Sequence, residues 1–294
     1  MSSLFPYPGG KSEIAPFIVE RLAPHQTYVE PFAGSIAVLL AKPPSEVEVV
    51  SDLDGDIINF FQVLQQGARD NTVMETFQRI CQLMPHARRL YETWMHDWNR
   101  GIRPEDPFER AIRWYYLQIN SVNGKSGWII SIADNKARLW QNKVDNLPEF
   151  AKRLRHVSLE NRDFRYIIQT YDRPETLFYI DPPYYGVEGA KEYYSGAPPF
   201  TEQDHLDLAQ LLNKIQGKAI VSYYPDPWLD HLYSQGRWHR LIISVNKWCS
   251  TTHAGGEKQK GEELLLFSYE PNPLFRWQSH QVGEHPRFMS GAIN

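Results

Sequence analysis

Short strand-like runs alternate with helix-like runs along most of this chain, and this alternation constrains the fold more than any other feature. The strand-like runs occur on both sides of a long segment without such runs. Segments with apolar residues at helical spacing separate one strand-like run from the next. The predicted strands are residues 27–32, 46–51, 155–160, 176–180, 218–223, 240–245 and 264–269. The predicted helices among them are residues 36–41, 56–66 and 201–215. Strands that alternate with helices in this way predict an α/β fold with one doubly wound sheet.

The segment of residues 69–150 has a different character and predicts a largely helical insertion in that sheet. Residues 79–155 contain 14 basic and 8 acidic side chains, whereas the whole chain has a formal net charge of -4. Such an excess is typical of solvated helix faces as well as of nucleic-acid-binding surfaces, so both interpretations stay open. Aromatic residues at helical spacing, at 94–98 and 114–116, favour a place in the hydrophobic core.

Composition and cysteine content indicate a globular enzyme. The chain has 294 residues, of which 42% are hydrophobic, and can therefore bury a sizeable core. It has no apolar run of about eighteen residues and no charged-then-apolar leader at residues 1–10, so we expect neither a membrane span nor a secretory signal, and a cytoplasmic location. Cys81 and Cys249 lie far apart without the spacing of metal ligands, so we expect buried or incidental thiols.

Four loops directly follow predicted strands, and ligands of doubly wound sheets bind at the carboxyl ends of the strands. In the first loop, Gly34 lies between a strand and a helix, where glycine lets the backbone approach a ligand closely. An ordinary strand-to-helix turn is the alternative. The second loop contains Asp52 and Asp54, of which we expect one to bind ribose hydroxyls and the other to cap the next helix. Asp52 is the better placed of the two for ribose.

The third and fourth loops combine acidic and aromatic side chains. Asp163 precedes Phe164, and such a pair can accept a hydrogen bond from an adenine amine while the ring packs against the base. The fourth loop, Asp181-Pro182-Pro183-Tyr184-Tyr185, is the most specific signal in the chain. Two consecutive prolines fix an extended turn and leave carbonyl groups free to accept hydrogen bonds.

The fourth loop suits chemistry at an exocyclic amine. Such an amine is a poor nucleophile because its lone pair is conjugated with the ring. Acceptors from the Asp181 carboxylate and the Pro182 carbonyl, directed at the two amine hydrogens, would make the nitrogen more tetrahedral and free the lone pair. Tyr184 can stack on a base extruded from a nucleic acid helix. A structural Pro-Pro turn with surface tyrosines is the alternative interpretation.

The chain resembles the Dam-type, class alpha family of DNA adenine-N6 methyltransferases over roughly residues 5–270, with the motifs in the family's order. The motifs that carry the resemblance are Pro6-Tyr7-Pro8-Gly9-Gly10-Lys11, Val29-Glu30-Pro31-Phe32-Ala33-Gly34-Ser35, Asp52, Asp163-Phe164, Asp181-Pro182-Pro183-Tyr184 and Phe200-Thr201-Glu202-Gln203-Asp204-His205. Ile36 departs from the dinucleotide-binding pattern, which has a glycine at that position. The segment of residues 69–150 matches the family in location and basic character alone.

The resemblance implies a Rossmann-like methyltransferase sheet that uses S-adenosylmethionine, without a metal, to methylate adenine flipped out of double-stranded DNA. It implies catalytic roles for Asp181, Pro182 and Tyr184. The cofactor-binding residues that it implies are Tyr7, Gly9, Gly10, Lys11, Glu30, Pro31, Phe32, Ala33, Gly34, Ser35, Asp52, Asp163, Phe164 and Asp181.

The DNA-binding residues are expected in the insertion and in a later loop. Basic residues suit phosphate contacts, which position a protein on DNA without reading sequence. Asn120–Trp128 resembles the family's turn after its recognition helices, and residues 250–262 resemble its DNA-contacting hairpin. The candidates are Arg88, Arg89, Arg100, Arg103, Asn120, Asn123, Lys125, Lys258 and Lys260.

These features predict a domain that is split in sequence. We expect residues 1–68 to form its cofactor-binding part, 69–150 a DNA target-recognition insertion, 151–270 its catalytic part and 271–294 a tail. Three alternatives stay open: a cytosine-N4 methyltransferase, an RNA adenine methyltransferase, and an inactive DNA-binding module. A restriction endonuclease of the same system is a further candidate partner.

Overall fold

The computed structural model describes residues 3–122, 124, 126–131, 134–185, 199–234, 236–246 and 260–271. The strands are β1 (Thr27–Glu30), β2 (Val47–Ser51), β3 (Ser121–Val122), β4 (Ser126–Trp128), β5 (Ser158–Glu160), β6 (Thr176–Ile180), β7 (Lys218–Tyr223), β8 (His239–Asn246) and β9 (Lys260–Phe267). The helices are α1 (Ala15–Val19), α2 (Ala37–Ala41), α3 (Gly55–Arg69), α4 (Asn71–Leu83), α5 (Arg88–Asn99), α6 (Pro107–Asn120), α7 (Lys136–Asp145), α8 (Leu147–Leu154), α9 (Phe164–Tyr171), α10 (Glu202–Leu212) and α11 (Pro227–Leu232).

A seven-stranded sheet in the order β5-β2-β1-β6-β7-β9-β8 forms the centre of the molecule. The first five strands in this order are parallel, and β9 runs antiparallel to both of its neighbours. The chain moves outward from β1 to β2 and β5 and then returns to β6, beside β1. The strand order therefore reverses between β1 and β6, which is where doubly wound sheets bind their ligands. The predicted α/β sheet is confirmed.

The central strands follow from apolar runs that end at turn-forming residues. All five residues of β6 are buried, as expected for a parallel strand that helices cover on both faces. The predicted bounds 176–180 and 218–223 are confirmed. The first strand ends at Glu30, two residues before its predicted end, because Pro31 has no N–H to donate to a neighbouring strand.

The predicted helical insertion is confirmed as helices α4 to α8 with the small β3–β4 hairpin. The helix α8 crosses the predicted boundary at residue 150, because Leu147, Phe150, Ala151 and Leu154 form one buried face at helical spacing. The insertion and the sheet share one hydrophobic core. This core includes Tyr28 of the sheet, Phe60 of α3, and Trp114 and Trp140 of the insertion.

Several further sequence expectations can be compared with the structure. The aromatic residues Trp114, Tyr115 and Tyr116 are buried in the core, as predicted. Cys81 is a buried free thiol, and burial raises its pKa. Cys249 lies outside the described residues. Within the described ranges, no helix combines the length and apolar character that a membrane-spanning segment requires.

Candidate active site

Residues from distant parts of the sequence meet at the carboxyl end of β6. The Lys11 ammonium lies 2.9 Å from the Asp181 carboxylate, directly after that strand. The same Nζ donates a hydrogen bond of 2.6 Å to the Gly9 carbonyl. A Cβ atom at Gly10 would lie 2.9 Å from the Tyr7 carbonyl, so the tight turn before Lys11 requires glycine there. The structure therefore brings the predicted N-terminal element against the predicted catalytic loop.

The Lys11–Asp181 pair is largely withdrawn from water, with side-chain exposures of 5% and 22%. Burial raises the pKa of Asp181 above its ordinary value, and the neighbouring Lys11 only partly opposes that rise. Burial lowers the pKa of Lys11, but the nearby carboxylates of Asp181 and Glu263 more than compensate, so its pKa is raised. The lysine is therefore positively charged beside the catalytic loop.

Glu263 is a site residue that the sequence analysis missed. It lies in β9 and is 4% exposed, and its Oε1 accepts hydrogen bonds from the hydroxyls of Tyr184 and Ser222. Lys11 Nζ lies 3.6 Å from the same oxygen. A signal was present, because alternation places Glu263 on the same face of its strand as the buried Leu265. An acidic residue on a buried strand face requires partners.

The loop after β1 has the predicted sharp turn into a helix. Gly34 has a φ of +44°, and a Cβ there would lie 2.8 Å from the Tyr7 ring. Ile36, where the dinucleotide-binding pattern has glycine, precedes α2 with a φ of +48°, a left-handed conformation that is rare for a β-branched residue. The predicted helix therefore starts one residue later, at Ala37.

Glu30 and Ala33, both predicted cofactor contacts, make internal contacts. Glu30 is 1% exposed, and its Oε1 accepts from the Tyr28 hydroxyl at 2.7 Å and from the Leu39 amide at 2.8 Å. Burial raises the pKa of Glu30 to about 8. The Ala33 amide donates to the Ser51 carbonyl at 2.8 Å. The Glu30 carboxylate and the Ala33 amide therefore support the loop from within.

The two acidic residues after β2 have different partners. Asp54 caps α3, accepting a hydrogen bond of 2.8 Å from the Asp56 amide. Asp52 accepts from the Gly34 amide at 3.0 Å and from the Asp54 amide at 2.9 Å. The predicted cap is therefore Asp54, and Asp52 lies beside the loop after β1. Burial raises the pKa of Asp52 and raises that of Asp54 to about 7.

An aromatic cluster lies near the loop after β5. The Phe32 ring stacks on Phe164 with 5.4 Å between centroids, and Phe200 packs edge-on to Phe32 at 5.6 Å. Asp163 caps α9, and its carboxylate lies 3.1 Å from the Arg165 guanidinium. The structure thus brings together Phe32, Asp163 and Phe164, which the sequence analysis assigned to one ligand.

The four arginines predicted to bind DNA lie in separate places. Arg88 and Arg89 are exposed in the first turn of α5, and Arg100 is exposed at its other end, about 18 Å away along the axis. Arg103 pairs with Asp56, with 2.8 Å between Nε and Oδ2, and its guanidinium lies over an indole ring. The expectation that Arg103 contacts DNA is corrected, because the internal ion pair occupies its guanidinium.

Asn120 also requires a correction. It is 1% exposed, and its amide donates to the Tyr116 carbonyl at 2.9 Å, so it is buried in the protein and cannot reach DNA from this position. Lys260 begins β9, whereas Asn123, Lys125 and Lys258 lie outside the described residues. Among the residues that the structure does describe, no group of three or more His, Cys, Asp or Glu side chains is arranged to bind a metal ion.

Comparisons with known proteins agree on one family. The family model described as D12 class N6 adenine-specific DNA methyltransferase matches residues 7–247. The chain is 22% identical over 280 residues to the DNA adenine methylase of Escherichia coli (strain K12), covering 90% of this chain and 93% of the relative. It is 23% identical over 245 residues to the Type II methyltransferase M.CviBI of Paramecium bursaria Chlorella virus NC1A, covering 79% and 86%. It is 27% identical over 278 residues to the Retron Ec67 DNA adenine methylase of Escherichia coli, covering 91% and 92%.

Proposed function

Because the chain belongs to the D12 class of N6 adenine-specific DNA methyltransferases, we propose that Asp181, Pro182 and Tyr184 form its catalytic site for adenine flipped out of double-stranded DNA. The chain is an enzyme that methylates adenine in DNA. The observation that carries the proposal is the position of Asp181, at the end of β6 where the strand order reverses, 2.9 Å from Lys11.

We propose S-adenosylmethionine as the methyl donor, which supplies a methyl group activated by a sulfonium. The end of the sheet fits such a molecule in three respects. Asp52 at the end of β2 suits ribose hydroxyls, and Asp163 beside the Phe32–Phe164 stack suits an adenine ring. The loop after β1 turns sharply at Gly34, whose φ of +44° keeps the backbone between β1 and α2 at this end of the sheet. The remaining candidate contacts are Gly9, Gly10, Lys11, Pro31 and Ser35.

The catalytic residues would act on the adenine amine. The Asp181 carboxylate and the Pro182 carbonyl accept hydrogen bonds from the two N–H groups of the amine. These hydrogen bonds direct the nitrogen lone pair at the methyl carbon. Bound S-adenosylmethionine would supply the methyl group, with the electron pair of its sulfur–carbon bond remaining on sulfur. The surplus N–H proton then leaves the amine towards Asp181. The ring of Tyr184 stacks on the base and orients it.

The insertion would provide the DNA surface. Arg88, Arg89 and Arg100 are exposed on α5 and suit phosphate contacts. We propose the same role for Lys125, Lys258 and Lys260, and base or backbone contacts for Asn123. The division into parts 1–68, 69–150, 151–270 and 271–294 is likewise a proposal. M.CviBI is named a Type II methyltransferase, which favours a restriction endonuclease of the same system as a partner.

The test is to incubate the protein with duplex DNA and isotopically labelled S-adenosylmethionine, digest the DNA and identify the labelled nucleoside by mass spectrometry. We expect label at adenine N6. Asp181→Ala should abolish transfer while the protein still binds S-adenosylmethionine, because the acceptor that activates the amine is lost and the other cofactor contacts remain. Glu75→Ala, which removes an exposed acidic side chain on α4, serves as the control. Full activity of Asp181→Ala would refute the assignment, and label on cytosine would change the substrate.

A further inference from the structure

Glu263 is a buried acidic residue beside the site that the catalytic proposal does not use. It projects from β9, a strand that reaches the site from the antiparallel end of the sheet. Its Oε1 has three neighbours from different parts of the chain: the hydroxyl of Tyr184, the hydroxyl of Ser222 in β7, and Lys11 Nζ at 3.6 Å. A carboxylate withdrawn from water is costly unless donors surround it, so this set of partners is specific.

We propose that Glu263 is a positioning residue for methyl transfer, which fixes the ring of Tyr184 and shares the Lys11 ammonium with Asp181. This inference rests on the proposed function, because it requires Tyr184 and Asp181 to act on the target base.

The contact with Tyr184 restrains the ring that would stack on the base. A tyrosine side chain rotates about two torsions, and a hydrogen bond at the hydroxyl fixes the end that lies farthest from the backbone. The Tyr224 ring packs edge-on against Tyr184 at 4.4 Å, and Lys11 Nζ lies 4.9 Å from the Tyr184 centroid. Glu263 therefore completes a set of contacts that determines the plane in which a base can stack.

The contact with Lys11 affects the acceptor strength of Asp181. The ammonium has three N–H bonds, and its neighbours are the Gly9 carbonyl, Asp181 and Glu263. One cation beside two carboxylates leaves the cluster with excess negative charge. Asp181 therefore lies close to a positive charge that does not fully neutralise its own negative charge. Its carboxylate can still accept hydrogen bonds from the amine.

The ionisable groups around Glu263 come from several elements. They are Lys11, Asp181 and Tyr184, together with Tyr179 in β6. From β8, the residue paired with Glu263 is Ile243, which carries no charge. Burial raises the pKa of Glu263, and Asp181 adds to that rise while Lys11 opposes it. Protonation of this cluster should therefore affect catalysis at acidic pH.

The test compares Glu263→Gln with Glu270→Gln in the full-length protein. Glutamine keeps the shape and an acceptor oxygen but removes the charge, and Glu270 is an exposed glutamate three residues after the end of β9. We expect Glu263→Gln to lower kcat roughly 10- to 100-fold, as for loss of a charged hydrogen-bond partner, with KM for DNA and Kd for S-adenosylmethionine within about twofold. Glu270→Gln should match the wild-type protein.

Two further measurements separate positioning from simple structural support. The acidic limb of the kcat profile should move to lower pH in Glu263→Gln, because removal of a negative neighbour makes Asp181 easier to ionise. Tyr184→Phe, which keeps the ring, should lower kcat, and the double variant should lose less than the product of the two single effects.

Three outcomes would overturn the inference. These are equal activity of the Glu263→Gln and Glu270→Gln variants, an unmoved acidic limb, or a fall in activity matched by loss of thermal stability and cofactor binding. Asp181→Ala, assayed in parallel, separates the two proposals. If Asp181→Ala is inactive while Glu263→Gln is normal, only the role of Glu263 fails. If Asp181→Ala is active, the catalytic assignment itself fails.

Discussion

The Lys11–Asp181 pair gives a pH dependence whose direction follows from burial. Burial raises the pKa of Asp181 above its ordinary value of 3.8, and Lys11 opposes this rise only in part. The carboxylate must be ionised to accept hydrogens from the amine, so activity is present above the raised pKa and is lost as the pH falls through it. We therefore expect the acidic limb of kcat/KM above pH 3.8. Initial rates across the acidic range, with circular dichroism at each pH, would check it, and a limb at or below that value would contradict it.

The two acidic residues after β2 should have separable roles. Asp54 caps α3, whereas Asp52 accepts hydrogen bonds from the Gly34 and Asp54 amides and is the proposed ribose contact. We expect Asp52→Asn to raise the Kd for S-adenosylmethionine roughly 10- to 100-fold, since a charged acceptor is lost. Asp54→Ala should lower the free energy of unfolding by about 1 kcal/mol and change that Kd far less. Calorimetry measures the Kd for S-adenosylmethionine, and urea unfolding measures the stability. If Asp54→Ala raised the Kd and Asp52→Asn mainly lowered the stability, the two assignments would be exchanged.

At the level of elements, the β3–β4 hairpin packs closely against the N-terminal segment at one glycine. Gly124 is buried at a φ of +73°, and a Cβ there would lie 2.4 Å from the Pro6 carbonyl. Gly127 has nearly the same φ, +76°, but nothing lies within 4 Å of its Cβ position. The two glycines thus differ in their surroundings and not in their backbone conformation.

This pair gives a matched experiment. Gly127→Ala should lower the free energy of unfolding by about 1 kcal/mol, because an alanine in a left-handed conformation is strained. Gly124→Ala should lower the free energy of unfolding by more than this. It should also lower kcat, because the segment from Pro6 to Lys11 must move. Urea unfolding and steady-state rates measure both effects. Equal loss of stability in the two variants would show that the contact with Pro6 contributes nothing.

The elements that could be predicted from sequence are those with a local signal. The apolar runs of β6 and β7 end at turn-forming residues, and their bounds matched the structure. The strand β9 begins four residues before its predicted start, because Lys260, Glu262 and Glu263 interrupt the apolar pattern. That interruption concealed Glu263, whose partners are distant in sequence.

Side-chain partners explain most of the remaining misses in the site. Arg103 and Asn120 have the composition of DNA contacts, but each has an internal partner that sequence spacing does not reveal. The meeting of Lys11 with Asp181 follows from the placement of β6 beside β1, which depends on the whole sheet. The order of the loops around the site was predictable, whereas the contacts across it were not.

For the whole molecule, one ion cluster joins the insertion to α3, the helix that follows β2. Asp56, in the first turn of α3, is 3% exposed and accepts from both Arg103 and Arg110 of the insertion. The shared hydrophobic core continues across the same boundary, where Phe60 of α3 stacks on Tyr115 with 4.9 Å between centroids. The insertion is therefore packed against the sheet through apolar and charged contacts together.

This shared core predicts that the protein unfolds as one cooperative unit. Trp114 and Trp140 are buried in the insertion and Trp238 is buried beside the sheet, so tryptophan fluorescence reports on both parts, and far-UV circular dichroism reports on all helices and strands. In urea, the two signals should give the same midpoint. Asp56→Asn should lower the free energy of unfolding by about 2 kcal/mol, less than for a fully buried pair because the arginines are partly exposed, and should shift both signals together. Glu92→Gln, exposed on α5, should leave the midpoint unchanged. Two successive transitions in either signal would show that the insertion unfolds independently of the sheet.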